Sequence, residues 1–192
     1  VKPALVPMTD QAVATTVLTS EGALSFQHYF VAQRCEPQVR AIEFSGIEEA
    51  QLQLDVRAWL SDPELGAVVI CPSNPFVSVA PVLAVPGMQA ALRRAAAPVI
   101  AVSPIVGGQA IKGPAAKMMD ELDLPASALA VARYYGEAVD GFVIDELDRD
   151  QASLIEALGM RVLVTETVMR TQRDKEQLAR AVVSFARELR PV

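Results

Sequence analysis

The sequence predicts an α/β fold: a three-layer α/β/α, Rossmann-like parallel sheet with a smaller α+β lobe. Three observations carry this. Four short apolar runs, Ala67–Cys71, Val99–Ser103, Gly141–Ile144 and Arg161–Thr165, are rich in Val and Ile and lack polar alternation. Strands covered on both faces have that pattern. Segments of helical pattern separate the runs. Two polar loops leave the carboxyl ends of the first two, where open parallel sheets bind ligands.

The elements follow in chain order. Residues 1–66 are less regular, with strands expected at Ala4–Met8, Ala12–Leu18 and Val39–Phe44 and helices at Phe26–Arg34 and Leu52–Leu60. They read as an α+β lobe or insertion. Leu60-Ser-Asp-Pro-Glu-Leu-Gly66 reads as a boundary, so the expected division is a lobe over 1–66 and a parallel-sheet portion over 67–192. After the run at 67–71, a tight loop leads into a buried helical region that begins near Ser78 and extends through the apolar segment 79–97. Gly113–Leu122 carries Ala115, Met118, Met119 and Leu122, with Pro114 suited to a first turn. Ser127–Tyr135 follows Pro125, and Asp150–Leu158 ends at Gly159, a C-cap residue. Gln172–Leu189 aligns Leu178, Val182, Phe185 and Leu189 in one stripe, with Arg and Glu elsewhere. Right-handed crossovers join such strands.

Composition narrows the class. The chain has 192 residues, 52% of them hydrophobic, which is ample for a core. A net charge of −6 argues against a nucleic-acid partner, which selects a basic face. No apolar run reaches the length of a membrane span, and no signal peptide is evident, so no membrane partner and a cytoplasmic location are expected. Cys35 and Cys71 match no disulfide or metal framework.

The loop Cys71-Pro-Ser-Asn-Pro-Phe-Val-Ser78 is the most informative stretch. Ser73, Asn74 and Ser78 have the short side chains that bind phosphate oxygens beside a helix N-terminus, and equally those of ordinary N-caps. The second loop, Ser103-Pro-Ile-Val-Gly-Gly108, leads to Lys112-Gly-Pro114. Gly107 and Gly108 permit close backbone approach to a ligand, or simply a turn. Lys112 and Lys117 flank a helix start, where a cation is unfavourable unless it meets an anion, and Lys112 is the better ligand candidate. His28, the single histidine, lies among aromatics without a catalytic partner nearby. Asp145, Glu146 and Asp148 follow a strand and read as a solvated helix entry rather than a metal site.

Taken together, several segments resemble the 2-phospho-L-lactate transferase family. They are Pro72-Ser-Asn-Pro75, Ser78 through Pro86-Gly87, Ser103 through Met119, Gly141-Phe-Val-Ile-Asp145 and Val164-Thr-Glu-Thr-Val-Met169. Pro7-Met-Thr-Asp10, Glu21-Gly22, Phe26-Gln27 and Tyr29-Phe-Val31 extend the resemblance over essentially the whole chain, in the same order.

The resemblance implies a transferase of coenzyme F420 biosynthesis. It would move a phospholactyl or phosphoenolpyruvyl group from a GDP-activated donor to the deazaflavin Fo, with magnesium as cofactor and GMP released. From the chemistry of the two loops, nucleotide or phosphate contacts are expected at Ser73, Asn74, Ser78 and Lys112. The aromatics Phe26, Tyr29 and Phe30 lie close in sequence to Met8-Thr9, and Met8, Thr9, Ile105, Val106, Gly107 and Gly108 are expected to border the acceptor, with the aromatics forming lobe core as the alternative. Catalytic residues are not assigned. The family opens with a Gly-rich nucleotide-binding unit and acidic metal ligands, and nothing of that kind precedes Val1. The chain is therefore expected to be the carboxyl-terminal portion, with the magnesium ligands outside it, little activity on its own, and a homodimer as the complete assembly. A nucleotide-sugar-binding regulatory protein of a related Rossmann-like family is the alternative, and a structural fragment without independent function is a third reading.

Overall fold

The computed structural model describes residues 3–189. The chain divides into two units: residues up to 62 together with 76–95, and residues 63–75 together with 96 onward. The first division falls in the stretch that the sequence marks as a boundary. Residues 76–95, assigned from sequence to the sheet portion, belong by their contacts to the first unit.

The first unit holds an antiparallel sheet of β1 (Ala14–Thr19), β2 (Gly22–Ser25) and β3 (Val39–Ser45) in the order β2–β1–β3. Thr19 closes the β1–β2 hairpin, its hydroxyl donating to the Gly22 carbonyl and accepting from the Glu21 amide. Helix α1 (Leu54–Leu60) starts where the Gln53 side chain accepts from the Asp55 and Val56 amides. Two short helices complete the unit, α2 (Ala80–Leu83) and α3 (Met88–Arg94). Its buried side chains include Val17, Tyr29 and Val39.

Three expectations fail here. Residues 4–8 form no strand: Pro3 precedes the run and Pro7 lies within it, and the Met8 carbonyl accepts from the Gln53 amide. The helix expected over 26–34 contains a π-helical turn, His28–Ala32, and stops at Arg34 and Cys35, both with positive φ. The helix expected from Ser78 is instead a π-helical turn, Pro75–Val79, followed by the four-residue α2. Pro86 and Gly87 then separate α2 from α3, with Gly87 at a φ of 87°.

The second unit is built on a four-stranded parallel sheet: β4 (Val68–Ile70), β5 (Val99–Val102), β8 (Gly141–Ile144) and β9 (Arg161–Val164), in that order. All four apolar runs are strands of one parallel sheet. The central β5 and β8 are buried throughout. The edge strands are not covered on both faces, and Val69 of β4 is 41% exposed. Between β5 and β8 come a small hairpin, β6 (Ile105–Val106) with β7 (Gln109–Ala110), then α4 (Ala115–Glu121) and α5 (Ala128–Tyr135). Ser127 caps α5, its hydroxyl accepting from the Ala130 amide.

Strands laid down in sequential order with right-handed crossovers place their connecting helices on one face. Helix α5 and α6 (Ala152–Glu156) pack together, α6 against β9, while Tyr135 meets Phe142 of β8 with ring centroids 6.4 Å apart. The last helix, α7 (Gln172–Leu189), covers the other face: Leu178, Val182, Phe185 and Ala186 form one core with Ile100, Val102 and Val143. That is the expected three-layer α/β/α arrangement. Among the described residues no single helix is long and apolar enough to cross a membrane.

Candidate functional site

The carboxyl ends of the parallel strands converge on a cleft of about 200 Å3 in the second unit. The loop after β4 supplies Pro72, Ser73 and Asn74, and the loop after β5 supplies Ser103 and Pro104. Val106 and Lys112 enter from the hairpin region. Thr167, Val168 and Met169 come from the loop after β9, and Lys175 from the first turns of α7. Among the described residues no acidic residue lines it.

The structure thus brings together Ser73, Asn74 and Lys112, three of the four residues expected at phosphate. Ser73 and Asn74 are half-buried and Lys112 is exposed. The Asn74 amide nitrogen donates to the Met118 thioether at 3.2 Å, a weak acceptor. Ser78 is exposed and belongs to the first unit. Lys117 is committed to Glu121 on the same helix, whereas Lys112 and Lys175 meet no carboxylate among the described residues. Two cations without local counterions make the cleft a receptor for anionic groups.

The hairpin β6–β7 is held from behind. The Ser103 hydroxyl, 2% exposed, donates to the Ile105 carbonyl and accepts from its amide. Ile105 is fully buried and Val106 nearly so. Gly107 and Gly108 have φ of 56° and 76°, as a two-residue turn with both central residues left-handed requires. The turn alone therefore accounts for the glycine pair. The Gly107 amide donates to both oxygens of Asp148, at 3.0 and 3.2 Å, and Gln151 Nε2 donates to Asp148 Oδ1. Asp148 is 1% exposed. Burial pushes its carboxyl above the ordinary range, with Asp145 and Asp150 acting in the same direction against the Gly107 and Gln151 donors.

Asp145, also buried, accepts from the Leu147 amide through one oxygen and from the Thr167 amide and hydroxyl through the other. These carboxylates are turned inward, not solvated as the sequence suggested. The residues of this chain do not fit a magnesium site: among the described residues no three of His, Cys, Asp or Glu gather in ligand geometry, and Asp145 and Asp148 are spent on protein donors.

Met8 and Thr9 lie in the first unit, where the Thr9 hydroxyl donates to the Gln11 side chain at 2.7 Å. Tyr29 is core, with its hydroxyl donating to the Cys35 carbonyl. Phe26 and Phe30 stack with centroids 5.4 Å apart, and Phe30 is 44% exposed. His28 is exposed.

Sequence reasoning missed Thr167 and Lys175. Lys175 sits on the polar side of an amphipathic helix, where a lysine reads as solvated. Thr167 lies in a loop without a pattern of its own, within the Val164–Met169 segment that carries the resemblance.

Comparisons with known proteins bear on identity. The profile of the family described as 2-phospho-L-lactate transferase CofD matches residues 1–185. The 2-phospho-L-lactate transferase of Methanosarcina acetivorans is 38% identical over 182 residues, covering 94% of this chain and 58% of the relative. That of Methanosarcina mazei is 36% identical over 183 residues, covering 95% and 59%. The phosphoenolpyruvate transferase of Streptomyces griseus is 34% identical over 191 residues, covering 97% and 59%. The chain thus spans less than two thirds of the length of these relatives. Among solved structures, protein BH3568 of Bacillus halodurans superposes with a TM-score of 0.60 at 13% identity, over 93% of this chain and 61% of that one. Another structure of that protein describes it as a member of the UPF0052 family. These two likenesses bear on the fold alone. With a family profile spanning nearly all of its residues, the chain belongs to the 2-phospho-L-lactate transferase CofD family.

Proposed function

We propose that the whole protein transfers a phospholactyl or phosphoenolpyruvyl group from a GDP-activated donor to the hydroxyl of the deazaflavin Fo, in coenzyme F420 biosynthesis. The observation that carries this reading is the cleft at the strand ends: Lys112 and Lys175, which meet no carboxylate among the described residues, line a space with no acid among its described lining residues. At about 200 Å3 it is smaller than drug-sized pockets of roughly 300–1,000 Å3. That size suits the phosphorylated three-carbon acid rather than a guanosine or a tricyclic deazaflavin.

In this reading the hydroxyl oxygen of Fo bonds to the phosphorus that carries the three-carbon acid. The bond from that phosphorus to the GMP oxygen breaks, GMP leaves with that oxygen, and the hydroxyl proton is released to water. Such transfers depend on positioning and on neutralising the charge of the phosphoryl oxygens. Lys112 and Lys175 supply charge, and Ser73 and Asn74 supply polar contacts. The hairpin residues Val106, Gly107 and Gly108 border the acceptor side. Magnesium, a family expectation, would have to be held by ligands outside these residues, where it would add charge neutralisation. The whole protein acts as a cytoplasmic homodimer.

Titration of the whole protein with GDP tests the reading. Lys112→Ala is expected to weaken binding about tenfold or more, the effect of one charge-assisted hydrogen bond. GDP binding unaffected by Lys112→Ala and by Lys175→Ala contradicts it.

A further inference from the structure

Two hydroxyl residues of the cleft lining have their hydrogen-bonding roles fixed from behind: Ser103, which both donates to and accepts from Ile105, and Thr167, which only donates. Asp145, at the carboxyl end of β8, is 6% exposed, and its Oδ2 accepts from the Thr167 amide at 2.8 Å and from the Thr167 hydroxyl at 2.9 Å. A hydroxyl has one proton. Donated to a buried carboxylate, that proton is held in a charge-assisted bond that a neutral ligand atom does not match. Thr167 lines the cleft and is 6% exposed; with its proton so committed its hydroxyl can offer a ligand only an acceptor, and it accepts no hydrogen bond among the described residues.

This splits the cleft chemically. The ammonium groups of Lys112 and Lys175 only donate, so they suit phosphate or carboxylate oxygens. Thr167 Oγ1 repels those same oxygens and requires a donor. The phosphorylated three-carbon acid has no free hydroxyl, because its oxygen is the ester oxygen. The ligand group that donates is the alcohol of the acceptor.

We infer that Thr167 Oγ1 accepts the hydrogen bond of the attacking hydroxyl and so orients it, with Asp145 as the positioning residue that keeps Thr167 in that role. This rests on the transferase reading above. A hydroxyl that gives its proton to Thr167 turns its lone pairs away from that bond, toward the phosphoryl group held by the lysines. Fixing the nucleophile in such a geometry is a large part of what a bimolecular transfer needs.

The test is transfer kinetics of the whole protein with its Fo acceptor and GDP-activated donor, beside GDP titrations of the same samples. Thr167→Val keeps the shape and removes the oxygen. Transfer is expected to fall about thirtyfold, within the range for losing a hydrogen bond to a buried polar group, with GDP affinity within about twofold of the parent. Thr167→Ser restores the oxygen and is expected to recover transfer to within about threefold. Transfer by Thr167→Val within about threefold of the parent overturns the inference. So does a loss of GDP affinity that matches the loss of transfer, or a Thr167→Ser no better than Thr167→Val, because either marks a loop staple only. A parent protein that neither binds GDP nor transfers overturns the transferase reading and this inference with it.

Discussion

Gly141→Ala probes the contact on which the second unit is built. Gly141 opens the central strand β8 and is hydrogen-bonded on both sides, in register with Ile100 and Arg161. A Cβ there lies 2.7 Å from Leu189 Cδ1, 2.8 Å from Phe185 Cε1 and 3.2 Å from Phe185 Cζ. Leu189 is half-buried near the end of α7 and can swing aside. Phe185 is 5% exposed and packed in the core with Ile100, Val102 and Val143, so it cannot. The strand is equally fixed by its two neighbours. Overpacking of this kind costs about 1–3 kcal/mol. Replacing glycine in a strand returns roughly 0.5–1 kcal/mol, which leaves a net loss of about 1–2 kcal/mol. For a chain of this size that lowers the melting temperature by roughly 2–8 °C. Thermal melts followed by circular dichroism measure it. Combining Gly141→Ala with Phe185→Leu is expected to cost less than the sum of the two. An unchanged or raised melting temperature for Gly141→Ala means that α7 does not lie on β8 as described, and refutes the packing argument.

Three further predictions concern the site. Asn74→Ala is expected to weaken GDP binding about tenfold while the fold survives, because Asn74 lines the cleft beside Ser73 and Lys112 and is half-buried, not core; a lowered melting temperature with unaltered GDP affinity contradicts the phosphate role. Gly108→Val places a β-branched residue at a φ of 76° and is expected to lose both stability and Fo affinity, measured by melts and by deazaflavin fluorescence; Fo affinity that survives retires the hairpin as an acceptor border. Asp148→Asn keeps an oxygen for the Gly107 amide and removes a buried charge. Since the folded Asp148 carboxyl is raised, its stabilising contribution is full below the ordinary carboxylate range and is lost as pH rises through the folded value. The variant is therefore expected to match or exceed the parent in urea at about pH 7 and to lose that advantage below about pH 4. A deficit at neutral pH contradicts the burial argument.

The sheet was legible because parallel strands buried on both faces leave unbroken Val and Ile runs, and β5 and β8 are such strands. What escaped was local. Gly22-Ala-Leu-Ser25 pairs with β1 through its backbone, with little apolar pattern to betray a strand. Ala4–Met8 has the composition of a strand, but Pro3 before it and Pro7 within it deny it a ladder. The region from Ser78 is apolar enough for one helix, but Pro86-Gly87 breaks it. Ser73, Asn74 and Lys112 were readable as site residues because each sits in or just beyond a polar loop after an apolar run. Thr167 and Lys175 reach the same cleft from a different loop and the last helix, a convergence set by the sheet order and invisible to spacing. The inward turn of Asp145 and Asp148 was hidden for the same reason: their donors, Thr167 and Gly107, are distant in sequence.

The central claim is that two unneutralised lysines at the strand ends hold the phosphoryl group of a GDP-activated three-carbon acid. The most direct measurement is GMP release, together with the mass of the deazaflavin product, from the whole protein supplied with donor, Fo and magnesium. The parent is expected to release GMP and add a phospholactyl or phosphoenolpyruvyl group to Fo, and the double variant Lys112→Ala, Lys175→Ala is expected to do so about a hundredfold or more slowly. Product from the double variant at a rate close to the parent's contradicts the account, as does a parent that forms none.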